Sequence, residues 1–229
     1  MSFGRSLCST TCSTRLLLGS DVSPAAKLAL TPGVQRVPTP KLELFIVRNF
    51  LDPKTCGELI ERIDTNRRPS RIADDVGIAN FRTSETCDLD WRDPIVGGVD
   101  RRIADLFGLP LETSEPLQGQ RYAPGQEFKP HTDTFEPGGY DFYLHTAEGG
   151  QRTWTAMIYL NEPEDGGATR FKAIGKTVQP ETGKLIAWNN LLPNGRPNPA
   201  TLHQGMKVRR GTKYVLTKWF RERSATANA

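Results

Sequence analysis

The residues of this chain best suited to chemistry are two histidines, one aspartate and one lysine. His131 and Asp133 stand two positions apart, His203 follows seventy positions after Asp133, and Lys213 comes ten positions after His203. Because successive side chains on a strand point to opposite faces, His131 and Asp133 would project from the same face. An imidazole from His203, on a distant strand, would complete two neutral nitrogens and one carboxylate around a metal ion. Such a set leaves about three coordination positions open and is the ligand type of non-haem iron(II) oxygenases.

Each of these residues also has an ordinary structural interpretation. An isolated His-x-Asp is common in solvated turns, and the chain has three histidines: His131, His145 and His203. A lone lysine is most often a surface residue whose aliphatic stem lies along the protein while its ammonium stays in water. An inward Lys213 is better explained by an acid bound beside the metal, because a buried charge is costly unless it is paired.

Three motifs surround these residues in a fixed order. The first is RYAPGQEFKPHTD at 121–133, the second is RTWT at 152–155 followed by IYLN and EDGGATRF, and the third runs from LHQG at 202–205 to GTKY and TKW. In this order, and with the ten-residue step from histidine to lysine, they resemble the prolyl 4-hydroxylase branch of the 2-oxoglutarate/Fe(II)-dependent dioxygenases. The resemblance covers about residues 42–222.

The resemblance implies both a set of cofactors and a reaction. Fe(II) would be held by His131, Asp133 and His203, with 2-oxoglutarate in two of the open positions and O2 in the last. A substrate C–H bond would become C–OH while 2-oxoglutarate yields succinate and CO2, and L-ascorbate would rescue oxidised iron. Lys213, Tyr122 and Thr155 match positions that bind the co-substrate.

Three further residues match positions that contact a peptide substrate in the family, namely Arg152, Trp219 and Phe128. Phe128 departs from the family, which often has tyrosine there, and the missing hydroxyl bears on peptidyl-proline specificity. Tyr122, Phe128 and Trp219 would otherwise be ordinary core aromatics. We expect a prolyl residue in a peptide or protein as the substrate, with a free amino acid or another small molecule as the alternative.

Turn residues and apolar spacing predict helices first and strands afterwards. Asp52-Pro53 and Asp93-Pro94 each supply an N-cap followed by proline at the first helical position, ahead of an apolar stripe. From residue 117 the period falls to two, which predicts strands near 117–123, 128–133, 153–160, 168–173, 184–189, 202–208 and 212–221. This order predicts an α+β, mainly β fold with helices supporting one sheet. The family resemblance implies that the sheets form a double-stranded β-helix (jelly roll).

Composition and length favour one dioxygenase domain at residues 41–223, between a flexible N-terminal tail at 1–40 and a C-terminal tail at 224–229. Residues 1–40 are rich in Ser, Thr and Pro and contain one acidic residue. Such an acid-poor segment also fits an organelle transit segment within residues 1–30, or a misassigned start.

The remaining composition excludes few partners. No apolar run approaches the ~20 residues of a membrane-spanning helix. The net charge of +4 permits an acidic partner without calling for nucleic acid. The four cysteines, Cys8, Cys12, Cys56 and Cys87, show no zinc-like spacing. We therefore expect a reducing, cytoplasmic location, with neither membrane nor nucleic acid as a partner.

The period of two also assigns faces on the last strand. One face should carry Lys213, Val215, Thr217 and Trp219, and the other Tyr214, Leu216, Lys218 and Phe220. Residues 202–221 are predicted to form a hairpin that turns near 209–211, which would place Lys213 diagonally across from His203.

Two long segments are candidates for gating access to the site. Residues 134–151 follow Asp133 directly and contain His145, and residues 66–91 contain several arginines, including Arg82. Loops of this length in a compact domain are usually functional or disordered. A solvated edge is the alternative interpretation of the arginines.

Two other classes of protein stay open. A cupin-like binding or isomerising protein uses a similar barrel, but typically has more histidines and no lysine at this offset. A nucleic-acid demethylating dioxygenase shares the metal ligands, but this chain is only weakly basic. It also has no arginine pair at the offset which that family uses after its last histidine.

Overall fold

The computed structural model of the protein describes residues 22–70 and 81–224. The α-helices in these ranges are α1 Pro24–Leu30, α2 Pro53–Thr65, α3 Pro94–Phe107 and α4 Tyr140–Thr146. The carboxylates of Asp52 and Asp93 cap α2 and α3 by accepting hydrogen bonds from backbone amides of the first turn. Gly108 ends α3 in the left-handed conformation that favours glycine, with φ 67°. Both helix predictions are confirmed.

The strands follow the expected order after residue 117. In chain order they are β1 Val34–Arg36, β2 Leu44–Val47, β3 Arg68–Pro69, β4 Glu85–Asp88, β5 Gln118–Tyr122, β6 Phe128–His131, β7 Arg152–Tyr159, β8 Asp165–Gly166, β9 Thr169–Phe171, β10 Lys176–Val178, β11 Leu185–Asn189, β12 His203–Gly205, β13 Val208–Arg210 and β14 Lys213–Arg221.

Antiparallel pairing arranges these strands into two main sheets. The major sheet has the order β1-β2-β11-β7-β14-β5-β4-β3, the minor sheet has the order β10-β9-β12-β6, and β13 pairs with β8. Some successive strands pair directly, such as β1 with β2 and β9 with β10, but between β5 and β14 the chain crosses repeatedly from one sheet to another, as the connections of a jelly roll require. The α+β, mainly β fold and its jelly-roll form are confirmed.

Alternation along the central strands separates two apolar clusters. On β7, Trp154 and Ile158 face the cluster that α2 and α3 complete, whereas Met157 and Tyr159 face the cluster between the two sheets. The period of two therefore buries both faces of the major sheet, one beneath helices and one against the minor sheet. The helices support the sheet, and the inner face is left to line the site.

Residues 22–40 differ from the expectation of a flexible tail. Ser23 caps α1, Leu28 is fully buried in the helix-covered cluster, and β1 pairs with β2. A helix of seven residues with one buried leucine is too short to give a recognisable apolar period, so it was not predicted. Residues 1–21, including Cys8 and Cys12, lie outside the described residues.

The predicted hairpin over residues 202–221 is wrong. β12 pairs with β6 and β9 in the minor sheet, whereas β14 pairs with β5 and β7 in the major sheet. The chain crosses between the sheets after β12, so proximity in sequence does not become strand pairing. His203 and Lys213 consequently face each other from opposite sheets.

The described residues also bear on membrane helices, cysteines and the two proposed gating segments. Within the described part of the chain, no helix is long and apolar enough to cross a membrane. Cys56 and Cys87 are buried free thiols. The first proposed gating segment contains α4, and the second contains β3 and β4, with residues 71–80 outside the described residues.

Candidate metal centre

Two strands of the minor sheet bring the three predicted ligands together. His131 ends β6 and pairs directly with His203, which begins β12, while Asp133 lies two residues beyond the end of β6. One ligand atom from each residue can be chosen so that all lie within 4.8 Å of one another. The strand predicted at 128–133 thus stops at residue 131, and the carboxylate comes from the loop that follows.

Each imidazole is oriented by the backbone carbonyl two residues before it in the chain. His131 Nδ1 lies 2.7 Å from the Lys129 carbonyl oxygen, and His203 Nδ1 lies 2.9 Å from the Thr201 carbonyl oxygen. A carbonyl only accepts, so each Nδ1 carries the proton and each Nε2 keeps its lone pair. The Phe128 ring, stacked on His131 at a centroid distance of 3.5 Å, holds that imidazole in plane.

The electrostatics keep this set in its ligating form. Burial, followed by the neighbouring His203, lowers the pKa of His131 to about 3, so the ring is neutral at ordinary pH. Burial alone would raise the pKa of Asp133. His203, His131, Arg152 and the Thr155 hydroxyl outweigh burial, and the pKa is lowered, so the carboxylate stays ionised. The neutral imidazole of His131 and the ionised carboxylate of Asp133 are therefore presented beside the His203 ring.

A cavity joins this centre to Lys213. Its walls include the three ligand residues and the lysine. The Lys213 side chain is only 2% exposed, with its ammonium 5.1 Å from the centre of the Tyr122 ring and 5.3 Å from that of Tyr159. Burial lowers its pKa to about 7, with no contribution from any carboxylate of the described residues. The cavity thus holds a cation that lacks an acidic partner.

The other two predicted co-substrate residues lie in different places. Tyr122 is paired with Lys213 across β5 and β14 and lines the cavity. Thr155 does not appear in the cavity wall. Its hydroxyl instead lies behind the ligand carboxylate and donates a 2.7 Å hydrogen bond to Asp133 Oδ2. Its position on β7 directs it toward the loop after β6, and its predicted role in co-substrate binding stays a prediction.

The predicted substrate residues also divide. Phe128 and Trp219 line the cavity, and the Arg82 guanidinium lies 4.9 Å above the Phe128 ring. Arg152 is held away from the cavity by Glu115, to which its Nε and Nη2 donate hydrogen bonds of 2.6 Å each. The Arg152 guanidinium stacks 4.0 Å above the Trp219 ring, so it supports the indole from behind.

Three supporting residues carry no sequence signal of the kind used above. Glu115 binds both Arg152 and Arg221, and Gln151 makes two 2.8 Å hydrogen bonds to the backbone of Phe135, just after the ligand loop. Asn190 follows β11 and contacts Thr155. The position of Asn190, a polar residue directly after a buried strand, is a weak sequence sign of a functional role, and Glu115 and Gln151 lack even that.

His145, expected in a lid or at the surface, stacks on Phe135 with ring centroids 5.0 Å apart and is not in the ligand cluster.

The residues present fit an iron(II) ion and a dicarboxylate. A donor set of two imidazoles and one carboxylate suits non-haem Fe(II) and leaves positions for other ligands. The buried ammonium of Lys213 fits the distal carboxylate of a bound acid, because a charge without a partner is costly in such surroundings.

Comparison with known proteins agrees with this chemistry. A family model described as the 2OG-Fe(II) oxygenase superfamily matches residues 117–221. Probable prolyl 4-hydroxylase 10 of Arabidopsis thaliana is 31% identical over 200 residues, which cover 77% of this chain and 68% of that protein. The prolyl 4-hydroxylase subunit alpha-1 of Rattus norvegicus is 30% identical over 182 residues, which cover 79% of this chain and 32% of the subunit. This chain therefore spans about a third of the rat subunit.

A solved structure shares the fold. The viral collagen prolyl hydroxylase of Paramecium Bursaria Chlorella virus-1, in its 2OG complex, superimposes with a TM-score of 0.60 and 24% sequence identity. The superposition covers 78% of this chain and 95% of the viral chain.

Proposed function

The chain belongs to the 2OG-Fe(II) oxygenase superfamily as a prolyl 4-hydroxylase-like member, and we propose that it 4-hydroxylates a prolyl residue in a peptide or protein. The observation that carries the proposal is the cavity that contains both the ligand cluster and Lys213, which has no acidic partner among the described residues. A metal site alone would also suit a cupin-like binding protein. The buried ammonium favours the dioxygenase, because it requires an acid as its partner.

His131, Asp133 and His203 would hold the iron. When bound there, iron(II) supplies, with O2 and 2-oxoglutarate, the oxidising power that replaces a substrate C–H bond by C–OH and releases succinate and CO2. The protein's own part is to present two Nε2 lone pairs and one carboxylate oxygen. It also surrounds them with apolar rings that exclude water, among them Phe171 and Trp188.

Lys213 and Tyr122 would bind the distal carboxylate of 2-oxoglutarate. The ammonium donates to a carboxylate in a charge-assisted hydrogen bond, about twice as strong as a neutral one. The phenol of Tyr122, which borders the same cavity, is a second donor. Binding of the acid raises the pKa of Lys213 again and restores its charge.

The substrate would approach along the wall formed by Phe128 and Trp219. Arg152 supports this wall through its stacking on the indole and its pairing with Glu115. Aromatic faces suit a proline-containing peptide, because a preformed polyproline conformation loses little entropy on binding. The relatives named as prolyl 4-hydroxylases support the same substrate class. We also propose that ascorbate sustains turnover by keeping the metal reduced.

The experiment is a substrate comparison with iron-loaded protein, 2-oxoglutarate, O2 and ascorbate. Proline-rich peptides should gain ~16 Da by mass spectrometry in step with succinate formation, and peptides with alanine in place of each proline serve as the matched control. If free proline or another small molecule drives succinate formation while no peptide gains mass, the peptide proposal is wrong. Phe128, which lacks the hydroxyl common in the family, makes this comparison decisive.

A further inference from the structure

A buried chain of hydrogen bonds supports the carboxylate ligand from behind. Asn190 Nδ2 donates to Thr155 Oγ1 over 2.8 Å, and Thr155 Oγ1 donates to Asp133 Oδ2 over 2.7 Å. Thr155 and Asn190 are completely buried. The chain therefore runs from the end of β11 through the middle of β7 to the loop after β6, and it links the major sheet to the metal centre.

This chain of hydrogen bonds has one direction. An ionised carboxylate only accepts, so the single hydroxyl proton of Thr155 goes to Asp133. The Thr155 oxygen must then accept, and Asn190 supplies the donor from its NH2 group. Rotating the Asn190 amide by half a turn would set two acceptors against each other, so the network itself assigns the amide.

Apart from its hydrogen bond to Thr155, the Asn190 side chain makes no evident contribution to the stability of the fold. Its Oδ1 is buried without a hydrogen-bond partner among the described residues, which is destabilising for a fold. Its backbone is already fixed, because its N–H donates to the Thr153 carbonyl over 2.7 Å and its carbonyl accepts from Asn198 over 2.9 Å. The role left for the side chain is the hydrogen bond that its NH2 group donates to the Thr155 hydroxyl.

The two carboxylate oxygens of Asp133 have different surroundings. Oδ2 accepts the hydrogen bond from Thr155, whereas Oδ1 lies 3.9 Å from Nε2 of His131, another residue of the ligand cluster. We propose that Thr155 and Asn190 are positioning residues that restrict Asp133 to metal binding through Oδ1 alone. Binding through both oxygens would fill a position that the co-substrate or O2 needs. The proposal rests on the metal assignment made above.

Thr155 could either keep Oδ2 off the metal or simply strengthen Asp133 as a ligand, and these two roles predict different binding results. If its hydroxyl keeps Oδ2 off the metal, Thr155→Val should bind Mn(II) at least as tightly as the wild type. The Mn(II)-loaded variant should bind 2-oxoglutarate about tenfold or more weakly, a loss as large as those of metal affinity or activity that typically follow removal of a residue behind a metal ligand. Thr155→Ser, which keeps the hydroxyl, should restore the co-substrate affinity. Asn190→Leu should weaken co-substrate binding in the same direction.

Calorimetric titration of Mn(II), and then of 2-oxoglutarate, measures both affinities without turnover. Thr153→Val is the matched control, because it removes a hydroxyl from the same strand that donates instead to the Phe220 carbonyl. Its two affinities should match those of the wild type. The visible spectrum of Co(II)-loaded protein reports the coordination number, which should change in Thr155→Val and not in Thr153→Val.

Two results would overturn the proposal. One is wild-type co-substrate affinity in folded Thr155→Val protein, or in Asn190→Leu protein if the valine variant does not fold. The other is parallel loss of Mn(II) and co-substrate binding, which would mean that the hydroxyl serves ligand strength alone. Failure of the wild-type protein itself to bind Mn(II) would instead contradict the proposed function, so the two failures are distinguishable.

Discussion

Lys213 lowers the stability of the protein in the absence of its co-substrate. Burial lowers its pKa from 10.5 to about 7, and no carboxylate of the described residues compensates. In the unfolded chain the lysine keeps its proton up to a pH near 10.5. At pH 7 folding must therefore either remove the proton or bury the charged ammonium away from water. At 1.36 kcal/mol per pKa unit, the cost at pH 7 is about 4 kcal/mol.

Lys213→Met retains the unbranched stem and removes the charge. We expect the free energy of unfolding at pH 7, without co-substrate, to rise by about 2–4 kcal/mol. Between pH 7 and 10.5 the unfolded wild-type chain binds more protons than the folded protein, so wild-type stability increases with pH in that window. The advantage of the methionine variant should therefore shrink to about half by pH 9.

Urea unfolding at pH 6, 7, 8 and 9, with and without 2-oxoglutarate on the Mn(II)-loaded protein, measures both effects. At a co-substrate concentration of 100 times Kd, the wild type should gain about 2.7 kcal/mol, whereas Lys213→Met should gain almost nothing. Lys207→Met, at an exposed position, is the control and should change stability by less than about 0.5 kcal/mol. A less stable Lys213→Met variant that is still stabilised by 2-oxoglutarate would refute the reasoning.

Two further predictions concern the metal ligands and the buried ion pairs. His131→Ala and Asp133→Ala should each abolish stoichiometric Fe(II) binding while the circular dichroism spectrum stays unchanged, and full iron content in both variants would contradict the ligand assignment. Glu115→Gln should lower the free energy of unfolding by about 3–5 kcal/mol, because Arg152 and Arg221 would lose their shared carboxylate. Chemical denaturation measures this loss, and an unchanged midpoint would show that the arginines find another partner.

Local signals account for the parts of the fold that were predicted correctly. Asp52 and Asp93 carry the start of a helix in a few adjacent residues, and the strands after residue 117 carry a period of two. Each of these signals depends on neighbours along the chain alone. The order of strands across two sheets depends on connections that cross between sheets, so the hairpin over 202–221 was predicted where none exists.

The candidate site divides in the same way. His131, Asp133 and His203 were recognisable because metal ligation restricts residue type and spacing together. The hydrogen bonds behind them join Asp133 to Thr155 and Thr155 to Asn190, pairs that lie 22 and 35 residues apart. Threonine and asparagine have many other uses in a protein, so neither the type nor the spacing of these residues predicts their hydrogen bonds to one another and to Asp133.

Lys213 shows why a site can be predicted through an error in topology. The prediction assigned β14 to the wrong partner strand, yet Lys213, Val215, Thr217 and Trp219 all line the cavity as expected. Alternation along a strand depends on the pleat of its own backbone, whichever strand lies beside it. Which side chains enter the barrel is therefore a local property, whereas what they meet there is decided by the whole fold.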